Sequence, residues 1–183
     1  GATLVIAYHP SLGSAEDMRR YVGPALETIA REDNVVVVYP DGYRGHFNDC
    51  RLVADYPARR LNVDDVAFSR AIVDRFARSD AIDPDRVFAI GFSNGGQMAL
   101  RLAIEAPDLI AGAAAFAANL PTPDNLDCVP ATRPAPRVVL VAGTADPINP
   151  YRGGRVSVFG FGDRGEVLSA EQSASWFAQR LGL

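Results

Sequence analysis

Lysine is absent from the 183 residues, so all 18 basic side chains are arginines, whose guanidinium does not deprotonate in proteins. A serine-lysine dyad is thereby excluded. Imidazole and thiol groups are nearly as scarce, with His9, His46, Cys50 and Cys128 the whole supply. None stands at a ligand-like spacing from another, so a zinc site has little to be built from and no metal is expected. No apolar run approaches the length of a membrane span. The chain opens on Ala2-Thr3-Leu4-Val5-Ile6-Ala7-Tyr8, a core-strand pattern with neither a charged lead nor a small-residue cleavage site, so an export signal is expected to be either already removed or never present. The net charge is -4 and the arginines are scattered, which argues against a polyanion partner; neither nucleic acid nor membrane is expected to bind. A hydrophobic content of 48% over this length fills one core and is too little for two ordinary domains, so residues 1–183 read as a single domain.

What the chain does have is concentrated between Arg86 and Leu100. The apolar run Val87-Phe88-Ala89-Ile90, the pentapeptide Gly91-Phe92-Ser93-Asn94-Gly95 and the helix-period run from Gly96 follow without interruption. That order reads as strand, sharp turn, helix. A serine on such a turn sits at a strained backbone angle, and strand and helix approach so closely that the positions two before and two after it tolerate little beyond hydrogen. Gly91 and Gly95 fill both. The pentapeptide alone also fits a glycine-rich strand-to-helix turn with an incidental serine, and the context is what favours a nucleophile.

The remaining elements alternate around this one. Thr3 to Tyr8 reads as a strand covered on both faces. Ser14 caps a following helix, in which Gly23-Pro24 is expected to kink or split the pattern. Asn34 to Tyr39 is a second buried strand, and from Asp41 to about Leu61 runs a long loop carrying His46, Asn48, Asp49 and Cys50, of the length that is commonly functional. Asn62 is the expected cap of a helix in which Val66, Ser69, Ile72, Val73 and Phe76 share a face. Leu109 to Ala118 reads as a fourth strand despite its alanines, and Asn119 to Pro136 as an irregular connection. Arg137 to Gly143 is a fifth strand that delivers Asp146 at its end. The glycine- and arginine-rich stretch Arg152 to Gly165 reads as a loop, and Ser169 with Gln172 forms a capping-box signature for a last helix, on which Trp176 and Phe177 are core anchors. Five strands alternating with helices imply an α/β three-layer sandwich with a mainly parallel sheet and right-handed crossovers. The loops after the strands then gather His9-Pro10-Ser11, the Asp41 to Leu61 loop, Ser93 and Asp146 at one sheet edge, where such folds place ligands.

Ser93 on an elbow, followed by Asp146 after a later strand, gives the order of α/β-hydrolases, in which the histidine comes last. The segments Tyr39-Pro40-Asp41-Gly42, Phe47-Asn48-Asp49-Cys50-Arg51, Gly91-Phe92-Ser93-Asn94-Gly95-Gly96 and Gly143-Thr144-Ala145-Asp146-Pro147-Ile148-Asn149-Pro150-Tyr151 resemble secreted esterases of the polyhydroxybutyrate depolymerase and feruloyl esterase group. The resemblance implies an α/β-hydrolase core with strand order 2-1-3-4-5. It implies Ser93 as nucleophile, Asp146 as the acid, and the backbone N–H groups of Asn94 and Ser11 as the oxyanion hole. Pro10 stands where family members usually have glycine, which removes one N–H and stiffens that loop. Residue for residue, nothing in the chain matches the family's catalytic histidine, nor its first two strands or its last one, so the chain reads as the central core of the hydrolase. A sheet ending at the Arg137 to Gly143 strand would expose an apolar edge. The expected cover is a continuation carrying the histidine or a second copy of the chain in a homodimer.

Ser93 needs a base, since a hydroxyl at its ordinary pKa is a poor nucleophile. His9 is expected to support the oxyanion loop, and His46 to lie on the surface or touch substrate. Asp146 competes with the reading of a turn-forming Asp-Pro. Cys50 and Cys128 fall in loops at the site edge of a chain that resembles secreted enzymes, so a disulfide and a secreted or periplasmic location are expected. The alternative is two free thiols in a cytosolic protein. The bridge would close a loop of 78 residues, worth on the order of 4 kcal/mol in the chain-entropy model. The resulting expectation is a serine carboxylester hydrolase acting, without a cofactor, on hydroxy-acid, feruloyl-type or short-chain acyl esters. The alternative is a hydrolase-derived binding or scaffold protein that lacks the base.

Overall fold

Ala2–Tyr8 forms β1, an apolar run with a strand on either side. In a computed structural model describing residues 1–79, 81–158 and 160–183, it pairs in parallel with β2 (Val35–Val38) on one side and β3 (Ile82–Phe92) on the other. β4 (Gly112–Phe116) and β5 (Arg137–Val141) complete a five-stranded parallel sheet of order β2-β1-β3-β4-β5. The α/β architecture and the order are those expected.

Side chains alternate across a strand, and the alternation divides the sheet into two unlike faces. Leu4, Ile6 and Tyr8 of β1, Val87 and Ala89 of β3, and Ala113 and Ala115 of β4 are at most 6% exposed, on the face packed by α3 (Asp65–Ala77) and α4 (Asn94–Glu105). The alanines of β4 are small because α4 lies close: a Cβ on Gly96 would come within 3.0 Å of the Phe116 carbonyl oxygen. On the opposite face, α1 (Ala15–Glu32) packs chiefly on β2 and β1. Phe88, Phe92 and Phe116 remain 38%, 49% and 39% exposed, and Val139 and Val141 of the β5 edge are 58% and 45% exposed. Helices thus lie on both faces of the sheet, as expected of a three-layer sandwich, but no described helix reaches over β3 to β5 on the α1 side. An apolar trough of about 510 Å³ runs between α1 and these strands, lined by Met18, Tyr21, Leu26, Ile90 and Phe116 among others.

Other corrections concern helix and loop boundaries. α1 runs unbroken through Pro24; Arg20, whose carbonyl loses its partner, is exposed, so water can satisfy it. The N-cap of α3 is Asp64, which accepts from the Ala67 N–H at 2.9 Å, whereas Asn62 occupies the left-handed region at φ 47° and accepts from Asn48. The Arg152 to Gly165 stretch contains an antiparallel hairpin, β6 (Gly154–Val158) and β7 (Phe161–Val167). Its glycines read as loop, yet Gly160, Gly162 and Gly165 all take positive φ, which suits turn and bulge positions of a twisted hairpin. The last helix, α5 (Ala170–Leu181), begins at the expected capping box of Ser169 and Gln172, and Phe177 is buried with Trp176 edge-on at 4.9 Å.

Candidate active site

β3 ends at Phe92 and α4 begins at Asn94, leaving one residue to reverse the chain. Ser93 takes φ 54° and ψ -116°, a strained conformation for a residue with a side chain. Its N–H donates to the Phe116 carbonyl at 2.8 Å, while its own carbonyl accepts from Gln97 at 2.9 Å. A Cβ on Gly91 would lie 2.1 Å from the Gly95 carbonyl oxygen, and one on Gly95 would lie 2.1 Å from that of Tyr8. The expected glycine requirement on either side of the serine is therefore met by backbone, which cannot rotate away. Asn94, Gly95 and Gly96 open α4, where a helix offers its first N–H groups no partner of its own.

The β1 exit lies against the same turn. His9 is fully buried; its Nδ1 donates to the Pro10 carbonyl at 2.7 Å and its Nε2 accepts from the Gly42 N–H at 2.9 Å. Both ring nitrogens are thus engaged in holding the Pro10 to Gly13 turn against the Gly42 loop, the supporting role expected of it. Leu12 reverses the chain at φ 62° and donates its N–H to Gly45. Ser11 stands at the head of this turn, half-buried.

A buried polar network, which the sequence did not reveal, fixes Asn94 from the other side. Its side-chain Oδ1 accepts from the Phe47 N–H at 2.8 Å, and its Nδ2 donates to the Phe47 carbonyl at 2.9 Å and to Asp49 Oδ2 at 2.7 Å. Asp49 also accepts from Arg51 Nη2 and from the Tyr56 hydroxyl, each at 2.6 Å. Burial pushes the Asp49 carboxyl upward, but the Arg51 guanidinium and the hydrogen bonds from Arg51 and Tyr56 outweigh it and hold the group below its ordinary value. The Cys50–Cys128 disulfide is formed as expected, and beside it Arg51 bridges to Leu126 and the Asp127 N–H donates to the Cys50 carbonyl. The disulfide therefore anchors the loop that delivers Asp49 and Arg51 to the elbow.

His46 departs from its expected surface or substrate-contact position. It is 5% exposed, stacked on Tyr56 with centroids 4.6 Å apart, and Nδ1 donates to the Arg44 carbonyl. Burial lowers its pKa. Neither imidazole is hydrogen-bonded to Ser93 among the described residues.

Asp146 follows β5 and is half-buried. Its Oδ1 accepts from the N–H groups of Ile148 and Asn149 at 2.8 and 2.9 Å, so the carboxylate shapes its own turn, while Oδ2 has no hydrogen bond among the described residues. Asp146 and Ser93 line one cavity of about 90 Å³ together with Arg51, Gln97, Asn149 and Val156 of the hairpin. The structure thus brings together Ser93, Asp146 and the start of α4. It adds Asp49, Arg51, Tyr56, Gln97 and Asn149, to which the sequence pattern assigned no role. Among the described residues no cluster of histidine, cysteine and carboxylate side chains is arranged to hold a metal ion. No helix is long and apolar enough to cross a membrane.

Asp65, at the start of α3, is a second buried carboxylate near this network. It accepts the Asn48 N–H at 2.6 Å, and burial raises its pKa to about 6. The folded state then binds a proton more tightly than the unfolded state between about pH 4 and 6, so this group's contribution to stability falls as pH rises through that window. Substituting Asp65→Asn should remove the effect. Relative to the variant, the parent should gain about 2–3 kcal/mol between pH 7 and pH 4 in denaturant melts. A pH-independent difference would contradict the assignment.

The profile of the phospholipase/carboxylesterase family matches residues 63–159, just over half of the chain. The chain is 41% identical over 154 residues to NocK, a candidate esterase of Nocardia uniformis subsp. tsuyamanensis, covering 84% of this chain and 42% of NocK. It is 34% identical over 155 residues to feruloyl esterase B of Piromyces equi, covering 84% of this chain and 28% of that protein. It therefore spans less than half the length of these curated relatives. A carboxylesterase of Bacillus cereus shares the fold with a TM-score of 0.58 at 18% identity, over 98% of this chain and 75% of that one. With the elbow, the sheet order and the matched profile taken together, the chain belongs to the phospholipase/carboxylesterase family of α/β-hydrolases.

Proposed function

We propose that this chain is the catalytic core of a serine carboxylester hydrolase. The observation that carries the reading is Ser93 held at φ 54° on a glycine-bounded elbow, in the same cavity as Asp146. In the proposed reaction Ser93 Oγ attacks the ester carbonyl carbon as a base removes its proton. The resulting oxyanion is held by the N–H groups of Asn94 and Ser11; the C–O bond to the alcohol then breaks, and the alcohol leaves with the base's proton. Water hydrolyses the acyl-enzyme in the reverse sense. Asp146 orients the base through Oδ2. His9 and His46 are engaged elsewhere, so the base is assigned to a histidine outside residues 1–183 carried by further chain, and the open β5 edge is covered in this reading either by that chain or by a second copy. The exposed valines of that edge support a cover there. The name of one relative supports feruloyl-type esters as a class to try, hydroxy-acid and short-chain acyl esters are kept from the sequence resemblance alone, and the disulfide supports a secreted or periplasmic setting.

The engagement of both imidazoles also favours the second reading, a binding protein without turnover. A fluorophosphonate probe separates the two. Rapid stoichiometric labelling of Ser93, abolished by Ser93→Ala, together with hydrolysis of p-nitrophenyl butyrate, supports the esterase. Labelling no faster than that of an ordinary surface serine would sink it. Light scattering on the same sample tests the homodimer.

A further inference from the structure

Among the described residues, the turn that carries Asp146 is hydrogen-bonded to the rest of the molecule through one residue. Within the turn, the Asp146 N–H donates to the Gly143 carbonyl, Asp146 Oδ1 accepts from Ile148 and Asn149, and the Gly153 N–H donates to Pro150. The hydrogen bonds that reach residues 143–150 from outside 143–153 all come from Asn119. Its Nδ2 donates to the Pro150 carbonyl at 3.1 Å, and its N–H meets Asn149 Oδ1 at a longer 3.4 Å. Asn119 is in turn held by the helix of the nucleophile. It is fully buried, and its carbonyl accepts from Gln97 Nε2 at 2.7 Å. Gln97 lies one turn into α4, where its N–H closes the first helical bond onto the Ser93 carbonyl. The segment around Asn119 is pinned at both ends: Phe116 accepts from the Ser93 N–H, Ala117 donates to Val141 at the end of β5, and Leu120 donates to Ser173 of α5. Ala117 takes φ 50°, a left-handed conformation that a residue with a side chain keeps only where its surroundings over-determine it.

From this chain of bonds we infer that Gln97 and Asn119 are positioning residues for the reaction at Ser93. They clamp the Asp146 turn to the elbow helix and so fix the place from which Oδ2, the carboxylate oxygen that the turn leaves free, reaches a base beside Ser93. The inference rests on Ser93 and Asp146 serving one reaction, and neither Gln97 nor Asn119 touches substrate in it. Buried hydrogen bonds of this kind add little net stability, yet when paired they select a single arrangement. Such selection matters where two groups on different loops must meet, because a shift of about 1 Å in a reacting constellation can cost about a hundredfold in rate.

Amide hydrogen exchange at Ile148 and Asn149 reads the clamp without turnover, because both N–H groups rest on Asp146 Oδ1. In Asn119→Leu, which keeps the volume but cannot donate to Pro150, these amides should exchange at least about fivefold faster than in the parent. The Gln97 amide, inside α4, should stay within about twofold. Gln97→Met keeps the bond to Pro150 and releases Asn119 from α4. It should give a smaller increase at the same two amides, and it decides the matter if Asn119→Leu does not fold. Unchanged exchange at Ile148 and Asn149 overturns the clamp. Catalysis is read with p-nitrophenyl butyrate in a double-mutant cycle with Asp146→Ala. Asn119→Leu should lower kcat by at least about tenfold while KM stays within about threefold. In the Asp146→Ala background it should have no further effect, since a residue that acts through Asp146 has nothing left to position. A residue that merely supports the fold would lower activity by the same factor in both backgrounds, and that result overturns the inference. Faster exchange in the variants, with no turnover by the parent, would uphold the clamp and reject the esterase reading alone.

Discussion

Replacing Asp49 with alanine should destabilise the protein by about 3–5 kcal/mol, because it leaves a buried guanidinium without its counter-charge. Arg51 is 4% exposed, and a described residue that could replace Asp49 as its ion-pair partner is not in contact with it. The same substitution removes the acceptor of Asn94 Nδ2 and of the Tyr56 hydroxyl, so the loss reaches the residue whose N–H is assigned to the oxyanion hole. Urea unfolding measures the first effect. The second should appear as slower phosphonate labelling of Ser93 in the variant under conditions where it is still folded. Asp49→Asn keeps an acceptor but not the charge and should fall between the two. The parent's own contribution from this pair has a defined pH sense. The Asp49 pKa lies below its unfolded value, so the stabilisation is present above about pH 4 and is lost as the carboxylate protonates below it. This is opposite in sign to Asp65, and the two substitutions should bend the stability profile in opposite directions. Equal stability of Asp49→Ala and parent at pH 7 would show that the network contributes little.

The sheet and the elbow were legible in the sequence because each rests on local pattern. Continuous apolar runs such as Leu4 to Tyr8 mark parallel strands, and the glycines around Ser93 mark a close approach that only glycine survives. The capping box at Ser169 was legible for the same reason, since its partner stands three residues away. What escaped the pattern depends on contacts distant in sequence. Asn62 and Asp64 are equally good caps by type, and the choice is made by Asn48, which draws Asn62 into its own hydrogen bond. The hairpin of β6 and β7 is encoded by glycines whose positive φ is indistinguishable, in sequence, from that of a loop.

His46 and Asp49 illustrate the same limit within the site. Both lie in a polar stretch that reads as exposed loop, and both are buried because Tyr56, Arg51 and Asn94 converge on them from up to 45 residues away. The disulfide that holds this loop in place was legible from cysteine number and placement; its role in presenting Asp49 and Arg51 was not. Gln97 carried a faint signal, a polar residue one turn into an otherwise apolar helix that must face the sheet. Asn149, inside an Asp-Pro turn, carried none.

The second large effect is expected at Gly95. An alanine Cβ there would stand 2.1 Å from the Tyr8 carbonyl oxygen, 2.5 Å from its carbon and 2.6 Å from the His9 carbonyl oxygen. All three atoms are backbone at the junction of β1 and the turn that follows it, so no rotamer change relieves the contact. α4 would have to lift from the sheet, and because its first turn presents Asn94, the N–H proposed for the oxyanion hole would move with it. Substitutions this disruptive exceed about 4 kcal/mol, a large part of the total stability of a domain this size. Gly95→Ala should therefore fail to accumulate as folded protein or melt far below the parent, and any folded remainder should label slowly at Ser93. Gly143→Ala is the matched control. Its added Cβ would meet Asp146 Cβ at 3.7 Å, an ordinary van der Waals contact, and Gly143 has no positive φ. It should stay within about 1 kcal/mol of the parent. Thermal melts of the two variants side by side decide the matter: similar melting temperatures would mean that the strand-to-helix approach at the elbow is looser than 2.1 Å implies, and would remove the main support for a strained, preorganised Ser93.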